Sequence, residues 1–345
     1  MNIMKYTVAY SLPISLFVAL PLGGPWLLMP VLIAFGLLPV ADPVFGHDQS
    51  DLEEGSSTWA YDLLVRAWVP TQILVFVAAL LFIAAGDWSW AELVYLSLGT
   101  GVTASGGGIN VAHELMHRRE RLDRGLSEVL MTMVCYTHFC VEHVLGHHKN
   151  VSTSLDPASS RLGESVYAFL PRTIFGGLAS AWRIESTRVS RRALPWWSLK
   201  DRRLRYALMQ AGACAIAVTI GGIWGLVWFL LQSFIGVSLL EVVNYIEHYG
   251  LQREEVAPGR YERVQPHHSW NSTQRLTNWF LFNLPRHADH HAWANRPYME
   301  LRAWPDAPAM PWGYPTMMLL ALVPPLWFRV MDPRVAAVRR KSEAA

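Results

Sequence analysis

Long apolar blocks alternate with polar segments along the chain. Six blocks are long enough to cross a hydrocarbon core of about 30 Å, and they cover roughly residues 6–22, 24–41, 59–85, 89–112, 205–221 and 223–248. Turn-forming glycines and a proline separate them in pairs, at 23–25, at Gly86 and at 221–222. The pattern therefore predicts an all-α membrane protein with six transmembrane helices in three hairpins.

The composition supports a membrane location and excludes several classes of protein. Of the 345 residues, 52% are hydrophobic and only 16% are charged. A net charge of +2, with no basic motif interleaved with base-stacking aromatics, gives no sign of a nucleic-acid partner. Cys135, Cys140 and Cys214 form no Cys-x-x-Cys pair, so the chain has no sequence signal for a zinc ribbon or a rubredoxin-type iron site.

The positive charges predict how the chain is oriented in the membrane. Lys and Arg are absent from the three short turns, and nearly all of them lie at Lys5, between Arg118 and Arg205, or after Gly250. Because cytoplasmic loops carry the excess of Lys and Arg, we expect both termini to be cytoplasmic. Residues 113–204 and 249–345 are then expected to form one cytoplasmic cap of a single domain, 1–345, whose first helix is a retained anchor.

Histidines carry the chemistry of the predicted cap. Nine of the 13 lie in four compact groups. In His-Glu-Leu-Met-His the spacing of four residues puts both rings on one helical face. His143 and His147 repeat that spacing in the second group, and the other groups contain an adjacent His pair or follow a span. The candidate metal ligands are His113, His117, His143, His147, His148, His248, His287, His290 and His291.

The number of these histidines favours two metals over one. Buried imidazoles without partners would cost several kcal/mol, and one zinc needs only three protein ligands. Four carboxylates lie beside these histidines: Glu114, Glu142, Glu247 and Asp289. Each either accepts the free ring N–H of a metal ligand or is a solvated charge. An intramembrane zinc protease, suggested by His-Glu-x-x-His, and a metal or haem transporter remain alternatives from other classes.

Together these motifs resemble the integral-membrane alkane 1-monooxygenases of bacteria. Similar segments are His-Glu-Leu-Met-His, Glu-His-Val-Leu-Gly-His-His, Asn-Tyr-Ile-Glu-His-Tyr-Gly-Leu and Arg-His-Ala-Asp-His-His-Ala, with further similar stretches over residues 110–335. One departure is Pro285-Arg286 before His287, where the family usually has Gln-Arg, and it removes no histidine. More distant resemblances are to the xylene monooxygenase hydroxylase and the membrane fatty acid desaturases.

The resemblance implies a function and a set of partners. It implies a non-haem di-iron centre held by the nine histidines. The implied reaction is the terminal hydroxylation of medium-chain n-alkanes with O2. Its electrons would come from rubredoxin, which a rubredoxin reductase reduces. It also implies the bacterial inner membrane as the location. Aryl-methyl hydroxylation and fatty acyl desaturation are the alternatives within the superfamily. His138 and His268 are candidates for contacts behind the ligands, whereas His47 and His267 have no role beyond the surface.

The sequence leaves two further features open. Gly101, Ser105 and the glycines 106–108 either leave room for an alkane drawn from the bilayer or permit close helix packing. A set of arginines either docks an acidic electron carrier or faces anionic lipid: Arg118, Arg119, Arg121, Arg124, Arg191, Arg192, Arg202 and Arg203. Since no dinucleotide, flavin or cysteine-cluster motif is present, the electrons must come from another protein.

Overall fold

The computed structural model describes residues 3–50 and 58–343, and nearly all of their regular structure is helical. The N-terminal region consists of a 3₁₀ segment, Ile3–Tyr10, α1 (Ser11–Ala19), a second 3₁₀ segment, Gly24–Leu28, α2 (Met29–Leu32), a π-helical turn, Ile33–Leu37, and α3 (Leu38–Phe45). Gly23 and Gly24 both have positive φ, a conformation that glycine adopts without strain. They turn the chain between the first two helical runs.

The second pair of helices is α4 (Trp59–Ala85) and α5 (Trp90–Thr103). Ser89 and Glu92 form a capping box at the start of α5, which satisfies orphan N–H groups of its first turn. The other oxygen of Glu92 accepts from the Gly24 amide at 2.8 Å and so ties this hairpin to the first. Beyond α5 the helix continues through a π-helical turn, Ala104–Ile109, into α6 (Asn110–Met116).

The third apolar region is α11 (Arg202–His248), preceded in the chain by α7 to α10. Gly222 has non-helical φ of 62° and ψ of −156° within it. A Cβ on Gly225 would lie 2.4 Å from the Ala217 carbonyl oxygen, although eight residues of straight helix span about 12 Å. The chain therefore reverses at Gly222, and α11 is a hairpin of two apolar arms.

The remaining elements are two long helices, α10 and α15, several short helices and one small β-hairpin. They are α7 (Arg121–Thr132), α8 (Phe139–Glu142), a π-helical turn (His143–His147), α9 (His148–Asn150), α10 (Val166–Arg191), β1 (Glu255–Ala257) paired antiparallel with β2 (Arg260–Tyr261), a 3₁₀ turn (Pro266–His268), α12 (Arg275–Phe280), α13 (His287–Ala292), a 3₁₀ turn (Tyr298–Glu300), α14 (Tyr314–Ala321) and α15 (Pro324–Glu343).

Within residues 3–50 and 58–343, three helical segments are long and apolar enough to cross a bilayer: Gly24–Phe45, Trp59–Ala85 and Arg202–His248. A fourth arises if α14 and α15, which meet at a bend of 120°, count as one broken span. The prediction of a helical membrane protein is confirmed. The count of six spans stays a prediction, since the first predicted span is the shorter helix Ile3–Ala19 and the fourth is not among these segments.

Candidate metal centre

The four histidine motifs converge from four elements of the fold. His113 lies in α6 and His117 at its end, His143 and His147 are in the π-helical turn, and His248 ends α11. The other motif forms α13, which the buried guanidinium of Arg286 holds in place. Arg286 donates to the Leu301 carbonyl at 2.6 Å and to the Ser50 carbonyl at 2.9 Å.

All nine histidines singled out from the sequence form two groups, and within each group the candidate ligand nitrogens lie within 4.8 Å of one another. The five-His group consists of His113, His117, His143, His148 and His290. The four-His group consists of His147, His248, His287 and His291. Six of the nine histidines have an exposed fraction of 5% or less.

In the second motif, the two histidines that share a group are five residues apart, whereas the expected pair is four residues apart. His143 Nε2 lies 3.1 Å from His148 Nε2, whereas His147 belongs to the four-His group. A π-helix bonds i to i+5, so residues five apart follow one another along the same face. The expected pairing of His143 with His147 is therefore replaced by a split between the two groups.

The ring nitrogens within each group approach as closely as ligands of a shared metal would. His148 Nε2 also lies 3.0 Å from His290 Nε2, and His291 Nε2 lies 2.8 Å from His287 Nε2. One ring nitrogen carries either a proton or a lone pair, so it cannot bond well to two others. Nitrogens bound to one metal at about 2.1 Å with bonds at right angles are about 3.0 Å apart.

Several further ring nitrogens are buried without a hydrogen bond among the described residues. They include Nε2 of His113, His117 and His147. A buried polar atom without a partner costs free energy, and neutral imidazole is a common ligand of iron, copper and zinc. Each histidine group could therefore hold a metal ion.

Asp156 contacts a candidate ligand directly, and sequence reasoning did not single it out as a site residue. Its carboxylate lies 2.8 Å from His147 Nδ1 and accepts from the Ser159 hydroxyl at 2.6 Å. Burial acts to raise the pKa of Asp156, but His147 and Ser159 outweigh it, and the pKa lies below its usual value. A carboxylate on Nδ1 fixes the ring tautomer that presents Nε2 to a metal. The signal in the sequence was Asp-Pro-Ala-Ser, one of the further stretches over residues 110–335 that resemble the alkane 1-monooxygenases.

The four carboxylates named from the sequence have different environments. Glu247 lies 3.2 Å from His287 Nε2 and accepts from the Tyr314 hydroxyl at 2.8 Å. Glu142 is buried beside the π-helical turn, close to Gly146, and burial raises its pKa to about 7.

The other two carboxylates, Glu114 and Asp289, accept hydrogen bonds from groups other than histidine rings. Glu114 accepts from Arg118 at 3.0 Å and from the Tyr298 amide at 3.1 Å. Asp289 accepts from Arg296, from the Arg302 amide and from the Trp304 indole. Glu114 is thus engaged in bonds that a zinc-protease base would have to break.

An apolar cavity reaches both histidine groups. It is lined by His113, His143 and His287 at the histidines, and elsewhere mainly by aliphatic and aromatic side chains such as Leu12, Phe280 and Met318. Ligand sites are usually lined mostly by apolar side chains with a few polar groups. The lining of the cavity therefore suits an apolar molecule.

The small residues near the end of α5 divide between packing and this cavity. A Cβ on Gly101 would lie 2.6 Å from Ile235, and one on Gly107 would lie 1.7 Å from the Trp68 ring, so both glycines permit close packing. Ser105 and Gly106 instead line the cavity. Gly101 and Gly107 therefore serve packing, whereas Ser105 and Gly106 border the cavity; that the cavity holds an alkane stays a prediction.

A basic cleft reaches the five-His group at His117. Nine cationic side chains line it: Arg118, Arg119, Arg121, Arg124, Arg188, Arg192, Lys200, Arg202 and Arg205. Six of the eight arginines named from the sequence are among them. Arg191 and Arg203 are not, and Arg203 is paired with Asp201.

The remaining histidines lie outside the two groups. His138 Nε2 is buried and has no hydrogen-bond partner among residues 3–50 and 58–343, and His47 Nδ1 lies 2.8 Å from the Thr273 hydroxyl. His267, His268 and Glu262 form a third cluster. There His268 Nδ1 accepts from the Gln265 amide and Nε2 lies 3.1 Å from Glu262, so both of its nitrogens already have partners.

Comparison with known proteins agrees with the geometry. The family model described as fatty acid desaturase matches residues 87–321. The chain is 41% identical to alkane 1-monooxygenase 1 of Pseudomonas aeruginosa, over 96% of this chain and 89% of that protein. It is 40% identical to an alkane 1-monooxygenase of Acinetobacter baylyi, over 91% of this chain and 76% of that one. The hydroxylase component of a Pseudomonas putida xylene/toluene monooxygenase is 30% identical over 64% of this chain and 58% of its own length. The chain belongs to the fatty acid desaturase family, and the relatives it matches along most of its length are alkane 1-monooxygenases.

Proposed function

We propose that this protein is a rubredoxin-dependent alkane 1-monooxygenase that converts medium-chain n-alkanes to 1-alkanols at a pair of irons held by the nine histidines. The observation that carries the proposal is that one apolar cavity ends at histidines of both groups, His113, His143 and His287. The names of the relatives support alkane hydroxylation. The location proposed is the bacterial inner membrane with the histidine-rich cap on the cytoplasmic side, which the distribution of Lys and Arg supports.

The residues fit the reaction class in a consistent way. Hydroxylation consumes one alkane, one O2, two electrons and two protons, and it yields one alcohol and one water. Iron bound by the imidazoles would supply the redox chemistry for dioxygen activation. The protein's own contribution is to hold the ligands, through Asp156 on His147 and Arg286 before α13, and to keep the cavity dry.

The apolar cavity suits a substrate that comes from the bilayer. An alkane gains about 0.8 kcal/mol per methylene on leaving water and has no polar group for a site to grip. A narrow apolar cavity can therefore select it by length and shape, with one end of the chain at the histidines. This favours oxidation at a terminal carbon.

The basic cleft supports delivery of electrons by an acidic carrier such as rubredoxin. Arg119, Arg121 and Arg124 line it and make no ion pair with any described residue, so their charges are free to attract a partner. Complementary charge speeds the encounter of two proteins. Because His117 lines the same cleft, a carrier seated there would lie close to the five-His group.

One experiment tests the reaction. The purified protein in lipid, supplied with rubredoxin, its reductase and a reduced nicotinamide cofactor, is given a series of n-alkanes, and the products are identified by mass spectrometry. We expect 1-alkanols and about two irons per chain. One zinc per chain and no oxygenated product would overturn the proposal.

Hydroxylation of aryl methyl groups is a second candidate, because one relative is a component of a xylene/toluene monooxygenase. Adding xylene and a fatty acyl substrate to the same assay separates the three activities by product. A benzylic alcohol as the main product would favour this candidate, and an unsaturated acyl chain would indicate a desaturase.

A further inference from the structure

An apolar stripe runs along the outer face of α10, a helix that sequence analysis assigns to the cytoplasmic cap. Between residues 167 and 182 every exposed side chain is apolar or aromatic. The larger members recur at spacings of three and four residues, which puts them on one helical face. We call this the α10 stripe: Tyr167, Pro171, Phe175, Leu178 and Trp182. It is about 22 Å long.

The opposite face of α10 packs directly on the histidine layer. Its buried positions follow the same helical period and include Phe169, Thr173 and Gly177. Thr173 donates to Glu241 at 2.7 Å, and a Cβ on Gly177 would lie 3.7 Å from Glu142, the neighbour of His143. Whatever covers the stripe is therefore separated from the candidate metal centre by one helix, about 10 Å thick.

At its N-terminal end the stripe continues into the bend between α14 and α15. The Tyr167 hydroxyl donates to the Leu322 carbonyl at 2.7 Å. Around this contact the bend exposes further large apolar side chains: Leu319, Leu322, Val323 and Leu326. These two helices are together apolar enough to form a broken membrane span.

At its other end the stripe continues into the start of α11. The Arg203 guanidinium lies 5.5 Å from the Trp182 ring, and Arg203 belongs to the first turn of an apolar arm that exposes Leu208 and Ile216. The loop between α10 and α11 adds two highly exposed rings, Trp196 and Trp197. Exposed tryptophans are typical of the boundary between membrane and water.

We propose that α10 lies in the plane of the membrane interface, with the α10 stripe in contact with lipid acyl chains. The occupant is lipid because the stripe is continuous at both ends with the outward faces of segments that are apolar enough to cross a bilayer. Beyond Trp182 the exposed positions become polar, with Arg183, Thr187 and Ser190, as expected where the helix leaves the acyl region. The candidate metal centre is thereby held against the membrane, one helix away from lipid.

Photocrosslinking in the full-length protein in its native membrane tests this proposal. The photoreactive residue p-benzoylphenylalanine replaces Phe175 or Leu178 on the stripe, and Thr187 or Ser190 on the polar part of the same helix as matched controls. Ile216, exposed on the apolar arm of α11, serves as the positive control. Adducts are identified by mass spectrometry.

We expect phospholipid adducts at 175, 178 and 216, at least about tenfold more abundant than at 187 and 190. A crosslink from 175 or 178 to a second copy of the chain or to another protein would overturn the proposal. So would the absence of adducts at these two positions while position 216 labels lipid. The test needs no hydroxylation assay, and its result is therefore independent of the proposed function.

Discussion

The apolar cavity and the basic cleft approach the same five-His group with opposite chemistry. The cavity reaches His113, and the cleft reaches His117 one turn later in the same helical segment. Aliphatic and aromatic side chains line the first, and nine cationic side chains line the second. An apolar substrate and a charged electron donor could thus be served by two separate routes that meet only at the histidines. Each route can therefore be altered without the other.

The largest expected effect comes from the histidines that both routes share. His143→Ala and His290→Ala each remove a nitrogen of the five-His group. We expect loss of at least half of the bound metal and a fall in hydroxylation of more than about 100-fold, since ligands matter more than the groups behind them. Elemental analysis and product assay measure the two effects. His267→Ala, outside both groups, is the control. Full activity and full metal content in either ligand variant would remove the histidine from the proposed centre.

The next effect concerns Asp156, which holds a ligand without lining the cavity or the cleft. Asp156→Asn keeps the shape but loses the negative charge on His147 Nδ1. We expect metal affinity or activity to fall by about 10–100-fold, the range for such groups. Metal titration of the apoprotein measures it, with Glu164→Gln, on the Arg172 ion pair, as the control. An unchanged metal affinity would mean that Asp156 only stabilises its own loop.

A change in the cavity should alter the choice of substrate alone. Gly106 lines the cavity, and a Cβ there would meet only Leu12 at 3.0 Å and Phe280 at 4.0 Å. Gly106→Val should lower kcat/KM for the longest accepted alkane by about tenfold or more relative to the shortest, because one methylene in a tight pocket carries that much discrimination.

The measurement is competition within an alkane mixture, with Gly212→Val as the control. Gly212 is also in a helix, and a Cβ there meets nothing within 4 Å. The ratio of long to short products should stay the same in that variant. An unchanged ratio in Gly106→Val would show that this part of the cavity holds no substrate.

A change in the cleft should alter electron delivery alone, and its effect is the smallest. The double variant Arg119→Glu, Arg124→Glu should slow reduction by an acidic carrier several-fold at low salt and flatten its dependence on ionic strength. Stopped-flow reduction measures both, and the product pattern should not change. Arg260→Glu, exposed on β2 away from the cleft, is the control. If the double variant behaves like Arg260→Glu, the carrier docks elsewhere.

Sequence reasoning identified the histidines but not how they divide between the groups. All nine candidates lie in the two groups, because histidines spaced on helical faces in an apolar chain have few other uses. Their division was not predictable, since the π-helical turn brings His148 onto the face of His143, which an α-helix would not do. Asp156 became visible only through its contact with His147, nine residues away in the chain.

The glycine-rich end of α5 shows the same limit. The sequence Gly-Val-Thr-Ala-Ser-Gly-Gly-Gly is compatible both with close helix packing and with a channel. Which role each residue has depends on whether it faces Trp68 and Ile235 or faces the cavity. The side chains that these residues face come from helices far away in the chain. The local sequence therefore cannot show which residues pack and which line the cavity.

The sequence by itself determined that this is a helical membrane protein with a histidine-rich centre, because hydropathy and motif spacing are local properties of the chain. Its similarity to known sequences gave the family. The tertiary structure decided how nine histidines form two groups, which carboxylates contact a candidate ligand, and where the cavity, the cleft and the α10 stripe lie. Each of these depends on contacts between residues far apart in the chain. Such contacts exist only once the apolar helices have packed and brought their polar ends together.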